Sequence, residues 1–115
     1  MSHPLVSLCV LTSNRAPLLR ESLETICRQT YEPLEILICD NASTDETETL
    51  CRQLMARDSR IRYLRHATNI GLYANHNSGI EHSRGELLCF FHDDDLYQPT
   101  IVAEYVDFLQ RHPEA

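Results

Sequence analysis

Directly after the apolar run Leu87-Leu88-Cys89-Phe90-Phe91 the chain carries His92-Asp93-Asp94-Asp95. Three adjacent carboxylates at the edge of an apolar segment repel one another. A hard divalent cation relieves that repulsion and can bridge substrate phosphates, using one or two carboxylates plus water. A carboxylate run also serves as a solvated loop or a helix cap, and Asp95 stands where it could cap a helix beginning near Pro99. His92 reads as a hydrogen-bonded neighbour of the cluster rather than as a ligand.

Two further polar groups follow apolar runs. Thr12-Ser13-Asn14-Arg15 comes after Leu5 to Leu11, and Asp40-Asn41 comes after Leu34 to Cys39. Asp40 could accept an N–H from a ligand such as a pyrimidine ring, or it could close a turn ahead of Ser43. Asn14 and Arg15 fit either a ligand loop or an ordinary cap and solvated charge.

The elements that must position these residues alternate between two hydrophobic patterns. The runs Leu5 to Leu11, Leu34 to Cys39, Ile61 to Leu64 and Glu86 to Phe91 are short and apolar, as expected of strands buried on both faces. Between them lie helical periods. Pro17 opens one with Leu19, Leu23, Ile26 and Cys27 on a face. Ser43-Thr44-Asp45-Glu46 has capping-box spacing ahead of Leu50, Cys51, Leu54 and Met55. Leu72 to His82 makes a third, with Gly85 expected at its stop. Pro99 begins a last helix with Ile101, Val102, Tyr105, Val106 and Leu109 inward. The order β-α-β-α-β-α-β-α predicts an α/β fold, a doubly wound parallel sheet covered by helices on both faces. In such a sheet the polar groups share the carboxyl edge, where ligands bind.

Composition narrows the function. The chain has 115 residues, read as one domain over 1–115, with 43% hydrophobic and 23% charged residues. Its net charge of −7 argues against nucleic acid as a partner. All ten basic residues are arginine. The absence of lysine counts against a signalling receiver domain, which needs one near its phosphoacceptor aspartate. Five cysteines without a CxxC pair read as free, mostly buried thiols, which points to the cytoplasm. No apolar stretch is long enough for a membrane span.

With these residues in place, the chain resembles the family 2 glycosyltransferases, whose nucleotide-binding fold is of the GT-A type. The matching stretches are Val6 to Arg15, Leu34 to Asp45, Asn69-Ile70-Gly71-Leu72, Asn77-Ser78-Gly79-Ile80, and Arg84-Gly85-Glu86 running into Phe91 to Leu96. Each is weak alone; their order and spacing together are specific.

The resemblance implies inverting transfer of a sugar from a nucleoside-diphosphate donor to an acceptor hydroxyl. By carry-over, Thr12, Ser13 and Asp40 line the base pocket, and Asn69 and Gly71 form a turn closing over the nucleotide. Asp93 sits on the ribose side of a DXD-like motif, and Asp94 holds Mn²⁺ or Mg²⁺ on the diphosphate. The implied partners are a nucleoside-diphosphate sugar, a UDP-sugar first, and a carbohydrate or lipid-linked acceptor. The implied location is the cytoplasm, at the inner membrane face through that acceptor.

Three positions depart from the family pattern. Ser13 stands where an aromatic residue is common, which weakens base stacking. His76 stands where arginine is usual, which makes a diphosphate contact weaker or pH-dependent. His92 replaces the first acid of the motif, leaving one carboxylate fewer. The family's catalytic base lies downstream of the acidic motif, so the resemblance implies donor binding by these residues without the base. The rival reading is a non-catalytic nucleotide-binding or interaction module of the same origin.

Overall fold

The computed structural model describes residues 3–114; Met1, Ser2 and Ala115, at the ends of the expected domain, lie outside it. Eight elements alternate in the expected order. They are β1 (Val6–Thr12), α1 (Ala16–Cys27), β2 (Leu34–Asn41), α2 (Thr47–Arg57), β3 (Ile61–His66), α3 (Leu72–His82), β4 (Leu87–His92) and α4 (Ile101–Arg111). The four strands form one parallel sheet in the order β3-β2-β1-β4. Successive right-handed crossovers carry the chain outward from β1 to β3, and α3 then returns it to the other side of β1. The order therefore reverses between β1 and β4, and that seam is the switch point of the fold.

Alternation along β1 sends Val6, Leu8 and Val10 to one face and Cys9 to the other. The first face packs against Leu19, Leu23 and Ile26 of α1, Leu50 and Cys51 of α2, and Val102 and Val106 of α4. Each large aliphatic side chain removed from water here contributes about 1.5–3 kcal/mol. The second face is thinner, formed by Cys9, Leu37 and Cys39 with Leu11, Leu64 and Phe90 around them. α3 covers it by lying close. A Cβ on Gly79 would stand 3.3 Å from Cys39 Sγ and 3.4 Å from both Cys9 Sγ and Phe90 Cε1. All five cysteines are free thiols, three of them fully buried.

The strands run one or two residues further at their carboxyl ends than the apolar runs predict. Thr12 pairs in register with Asp40, and Leu11 with His92, so these polar residues belong to the sheet itself. Backbone pairing with a neighbouring strand extends a strand past the end of its apolar pattern.

Four expectations are corrected. No capping box forms at Ser43: α2 starts at Thr47, and Asp45 Oδ1 accepts from the Thr47 N–H and hydroxyl. Gly85 does not stop α3, which ends at His82 with Ser83 at its C-cap position. Gly85 is needed instead for close approach, because a Cβ there would meet Ser7 N at 2.6 Å. Asp95 caps no helix: Thr100 precedes α4, and the Asp95 carbonyl accepts from the Ser22 hydroxyl. Tyr105 of α4 is 46% exposed, and Leu109 only partly buried. α4 lies along the edge strand β4, so Val102 and Val106 are the residues it buries fully, with Ile101 and Ala103 packed partly buried beside them.

At the amino ends of the strands a charged cluster locks the sheet. Glu35 accepts from Ser7 Oγ at 2.6 Å, from the Arg84 N–H at 2.9 Å and from Arg62. Burial alone would raise the Glu35 carboxyl, but these donors outweigh it and hold it below the usual carboxylate range.

Candidate functional site

At the opposite edge, the ends of β1, β2 and β4 and the start of α3 surround a cleft of about 950 Å³. Thr12, Ser13, Asn69, Gly71 and Asp93, all singled out from the sequence, line it together. Arg15, Asn41, Tyr73, Asn75, His76, Phe90 and His92 complete much of the wall.

The seam of the sheet forms the floor. Thr12 Oγ1 donates to Asp93 Oδ2 at 2.9 Å, and Asp93 is only 7% exposed. Arg15 Nη1 stands 3.3 Å from Asp93 Oδ1 and 3.4 Å from Asp94 Oδ2. One guanidinium thus bridges two carboxylates that would otherwise repel. Asp94 does not line the cleft; its side chain stands at the rim, 47% exposed. Beyond β4 the chain turns back, and Tyr97 stacks on Phe91 with ring centres 3.9 Å apart. The Tyr97 hydroxyl accepts from the His92 N–H at 2.7 Å, which fixes the backbone just before the aspartates.

The β1–α1 and β2–α2 loops are tied to each other. Asn14 adopts a left-handed backbone with φ 53°, a conformation asparagine tolerates better than most residues. Its Oδ1 accepts from the Thr44 N–H at 2.7 Å and the Asp45 N–H at 3.2 Å, while its own N–H donates to Ser43 Oγ at 2.8 Å. Asp45 Oδ2 accepts from the Ala16 N–H at 3.1 Å. One carboxylate therefore satisfies the first turns of both α1 and α2. Burial pushes its carboxyl up, but the hydrogen bonds from Thr47 and Ala16 prevail and hold it below the ordinary value.

The third wall is an asparagine clasp. Asn41 Nδ2 donates to Asn69 Oδ1 at 3.0 Å, and Asn41 Oδ1 accepts from the Ile70 N–H at 2.9 Å. Asn69 Oδ1 also accepts from the Gly71 N–H at 2.9 Å. Gly71 has φ 86°, the left-handed region that favours glycine. Ser13 Oγ donates to the Asn41 carbonyl at 3.0 Å, joining this clasp to β1. Nearby, His76 lies flat on Phe90, with ring centres 3.8 Å apart and planes inclined by 15°.

Asp40 does not join the cleft, contrary to the expectation that it lines a base pocket. It is 0% exposed. Its Oδ1 accepts from the Ser43 N–H and hydroxyl, and its Oδ2 from the Tyr63 hydroxyl. Burial and then Asp40 push the Tyr63 hydroxyl well above its usual range. The turn-closing role open to Asp40 in the sequence is the one the structure shows, and Asn41 takes the place at the wall.

Among the described residues no three His, Cys, Asp or Glu side chains converge as a metal cage. Asp93 and Asp94 are the carboxylates turned to one cationic position, which Arg15 fills. Two such oxygens fit a Mg²⁺ or Mn²⁺ ion that takes its remaining ligands from water and phosphate.

Known proteins are similar to this chain over most of its length. The model of the family described as Glycosyl transferase family 2 matches residues 7–115. The Bacillus subtilis protein EpsE is 36% identical over 112 residues, 96% of this chain and 40% of EpsE. The GalNAc(5)-diNAcBac-PP-undecaprenol beta-1,3-glucosyltransferase of Campylobacter jejuni is 36% identical over 93 residues, 80% of this chain and 30% of that protein. Among solved structures, the mannosyltransferase PcManGT of Pyrobaculum calidifontis, in complex with GDP-Man and Mn²⁺, superposes with a TM-score of 0.87. Its identity is 29%, covering 95% of this chain and 33% of that one. The chain thus spans between about three tenths and two fifths of the length of such relatives.

Proposed function

The chain belongs to glycosyl transferase family 2 and has its GT-A type fold, and on that premise we propose that its cleft binds a nucleoside-diphosphate sugar for inverting transfer to an acceptor hydroxyl. The observation that carries this reading is the meeting of Thr12, Ser13, Asn69, Gly71 and Asp93 around one cleft at the switch point of the sheet. Open α/β sheets bind ligands in that crevice.

In this reading Thr12, Ser13 and the Asn69–Gly71 turn receive the base, with Asn41 behind the turn. Asp93 takes the ribose side. Asp40 acts at one remove, holding Ser43 and through it the backbone of Asn14. Asp94 is the proposed ligand of Mn²⁺ or Mg²⁺. When bound, the ion would neutralise charge that gathers on the departing diphosphate. Arg15 keeps the two aspartates together, Asp93 in the floor of the cleft and Asp94 at its rim. The general base that an inverting transfer needs is assigned to none of these residues. UDP-sugars are the first donor to test, and a carbohydrate or lipid-linked hydroxyl is the acceptor class. A cytoplasmic site of action, at the membrane face where a lipid-linked acceptor resides, belongs to the same proposal. No helix among the described residues is long and apolar enough to cross a membrane.

The test is calorimetric titration with UDP, GDP and dTDP, each with Mn²⁺ and with a chelator. At least one should bind, more tightly with Mn²⁺. Equal affinity under both conditions would remove the metal assignment. Absence of binding by all three would favour an interaction module of glycosyltransferase origin.

A further inference from the structure

A guanidinium carries five N–H donors in a fixed fork. Arg15 engages one nitrogen of that fork. Its Nη1 reaches Asp93 Oδ1 at 3.3 Å and Asp94 Oδ2 at 3.4 Å, and among the described residues Nη2 and Nε have no hydrogen-bond partner. Strong charge-assisted bonds of this kind close to about 2.7–2.9 Å, so both contacts are long. The side chain is also 52% exposed.

The backbone that carries it is pinned on both sides. The Asn14 N–H donates to Ser43 Oγ at 2.8 Å, and the Ala16 N–H to Asp45 Oδ2 at 3.1 Å. The Arg15 carbonyl accepts from the Leu19 N–H at 2.9 Å. A long side chain held loosely on a fixed root can leave the aspartates without disturbing either loop.

The oxygens that Arg15 touches are those that fit a divalent ion. Guanidinium and ion carry like charge and draw on the same carboxylates, so each weakens the hold of the other. Of the ten arginines, Arg15 is the one that lines the cleft. Its fork matches a phosphate through two parallel N–H bonds, a better fit than one nitrogen shared between two carboxylates.

We infer that Arg15 is a resident counter-ion of Asp93 and Asp94, exchanged for the metal as the donor binds: the guanidinium turns to the diphosphate while the ion takes the carboxylates. Metal alone must displace Arg15 with nothing to receive it. Donor alone must draw Arg15 from carboxylates left without a cation. Each ligand therefore favours the other through one side chain, and the coupling is the same from either direction.

Resting on the donor-binding reading, the exchange can be tested apart from it. Mn²⁺ alone is titrated into the wild type, Arg15→Met, Arg15→Lys, and Arg15→Met combined with Asp94→Ala, after thermal melts confirm that the variants fold. Free Mn²⁺ is read by electron paramagnetic resonance. UDP is then titrated calorimetrically into each, with Mn²⁺ and with a chelator.

Arg15→Met should bind Mn²⁺ alone about fivefold more tightly than the wild type, the scale of one exposed charge pair. Arg15→Lys, which keeps the charge, should stay at the wild-type affinity. A gain in affinity is not what a loosened fold produces. With chelator, UDP should bind Arg15→Met about tenfold more weakly than the wild type, the scale of one charge-assisted hydrogen bond. The exchange is overturned by an Arg15→Met protein that binds Mn²⁺ no better than the wild type, or whose UDP affinity in chelator is unchanged. It is overturned equally if the gain in Mn²⁺ affinity survives Asp94→Ala. Failure of the wild type to bind UDP, GDP or dTDP under either condition overturns the donor reading, and the Mn²⁺ titration still decides whether Arg15 competes with the ion.

Discussion

The hydroxyl of Thr12 and the carboxylate of Asp93 meet at 2.9 Å across the seam between β1 and β4. Residues 81 apart in sequence are thereby joined at the one place where the strand order of the sheet reverses. Thr12→Val keeps the shape of the side chain and removes the donor. Asp93 is then a nearly buried carboxylate with a partner missing, which should cost about 1–3 kcal/mol. Urea denaturation reads this directly, and nucleotide titration should show a parallel loss of affinity. An unchanged midpoint would mean that water replaces the hydroxyl without penalty.

Asp94 should behave in the opposite way. Its side chain is half-exposed and meets Arg15 only at 3.4 Å, so Asp94→Ala should change stability by no more than about 0.5 kcal/mol. The same substitution should abolish the gain in nucleotide affinity on adding Mn²⁺. Retention of that gain in calorimetry would move the metal to another oxygen.

Glu35 sets an acid limit on the fold. Its folded-state carboxyl is depressed by the donors that outweigh its burial, so its stabilisation is complete above the unfolded value of about 4.3. It is lost as pH falls through the lower folded value. Glu35→Gln should therefore lose about 1–3 kcal/mol at neutral pH and show a shallower fall in urea midpoint between pH 5 and 3. A variant as acid-sensitive as the wild type would assign that limb to other carboxylates.

Two glycines should respond unequally to alanine. At Gly85 the new Cβ would lie 2.6 Å from Ser7 N and 2.8 Å from the Leu5 carbonyl, both backbone atoms that cannot step aside. Gly85→Ala should cost more than about 3 kcal/mol or prevent folding. Gly71 has open space but φ 86°, so Gly71→Ala should cost about 1–2 kcal/mol of backbone strain. Thermal melts with matched expression levels would separate the two; equal losses would contradict the steric account.

Much of the fold is legible because its signals are local. Runs such as Leu34 to Cys39 carry their own evidence of burial, and helical periods such as Leu19-Leu23-Ile26 carry theirs. The polar residues after β1, β2 and β4 are legible as a shared edge because parallel topology forces them there. Roles that depend on partners are not legible in this way. Asp40 and Asn41 are adjacent and both polar, and only strand alternation decides that the first faces Ser43 and Tyr63 while the second faces Asn69. Asp45 takes over the capping expected of Ser43 because Ser43 is drawn to Asp40. Arg15, an ordinary charge in the sequence, becomes the bridge of Asp93 and Asp94 once β1 and β4 lie side by side. Tyr97 and the His76–Phe90 stack likewise emerge only from packing.

Asp45 accepts from the start of α1 with one oxygen and the start of α2 with the other, while Asn14 accepts from the Asp45 N–H. The two loops beside the cleft are therefore a single mechanical part. Lengthening either one by a residue would unseat the other, so loop variation aimed at a new ligand must be introduced in the pair, with Asp45 and Asn14 kept as its pivot.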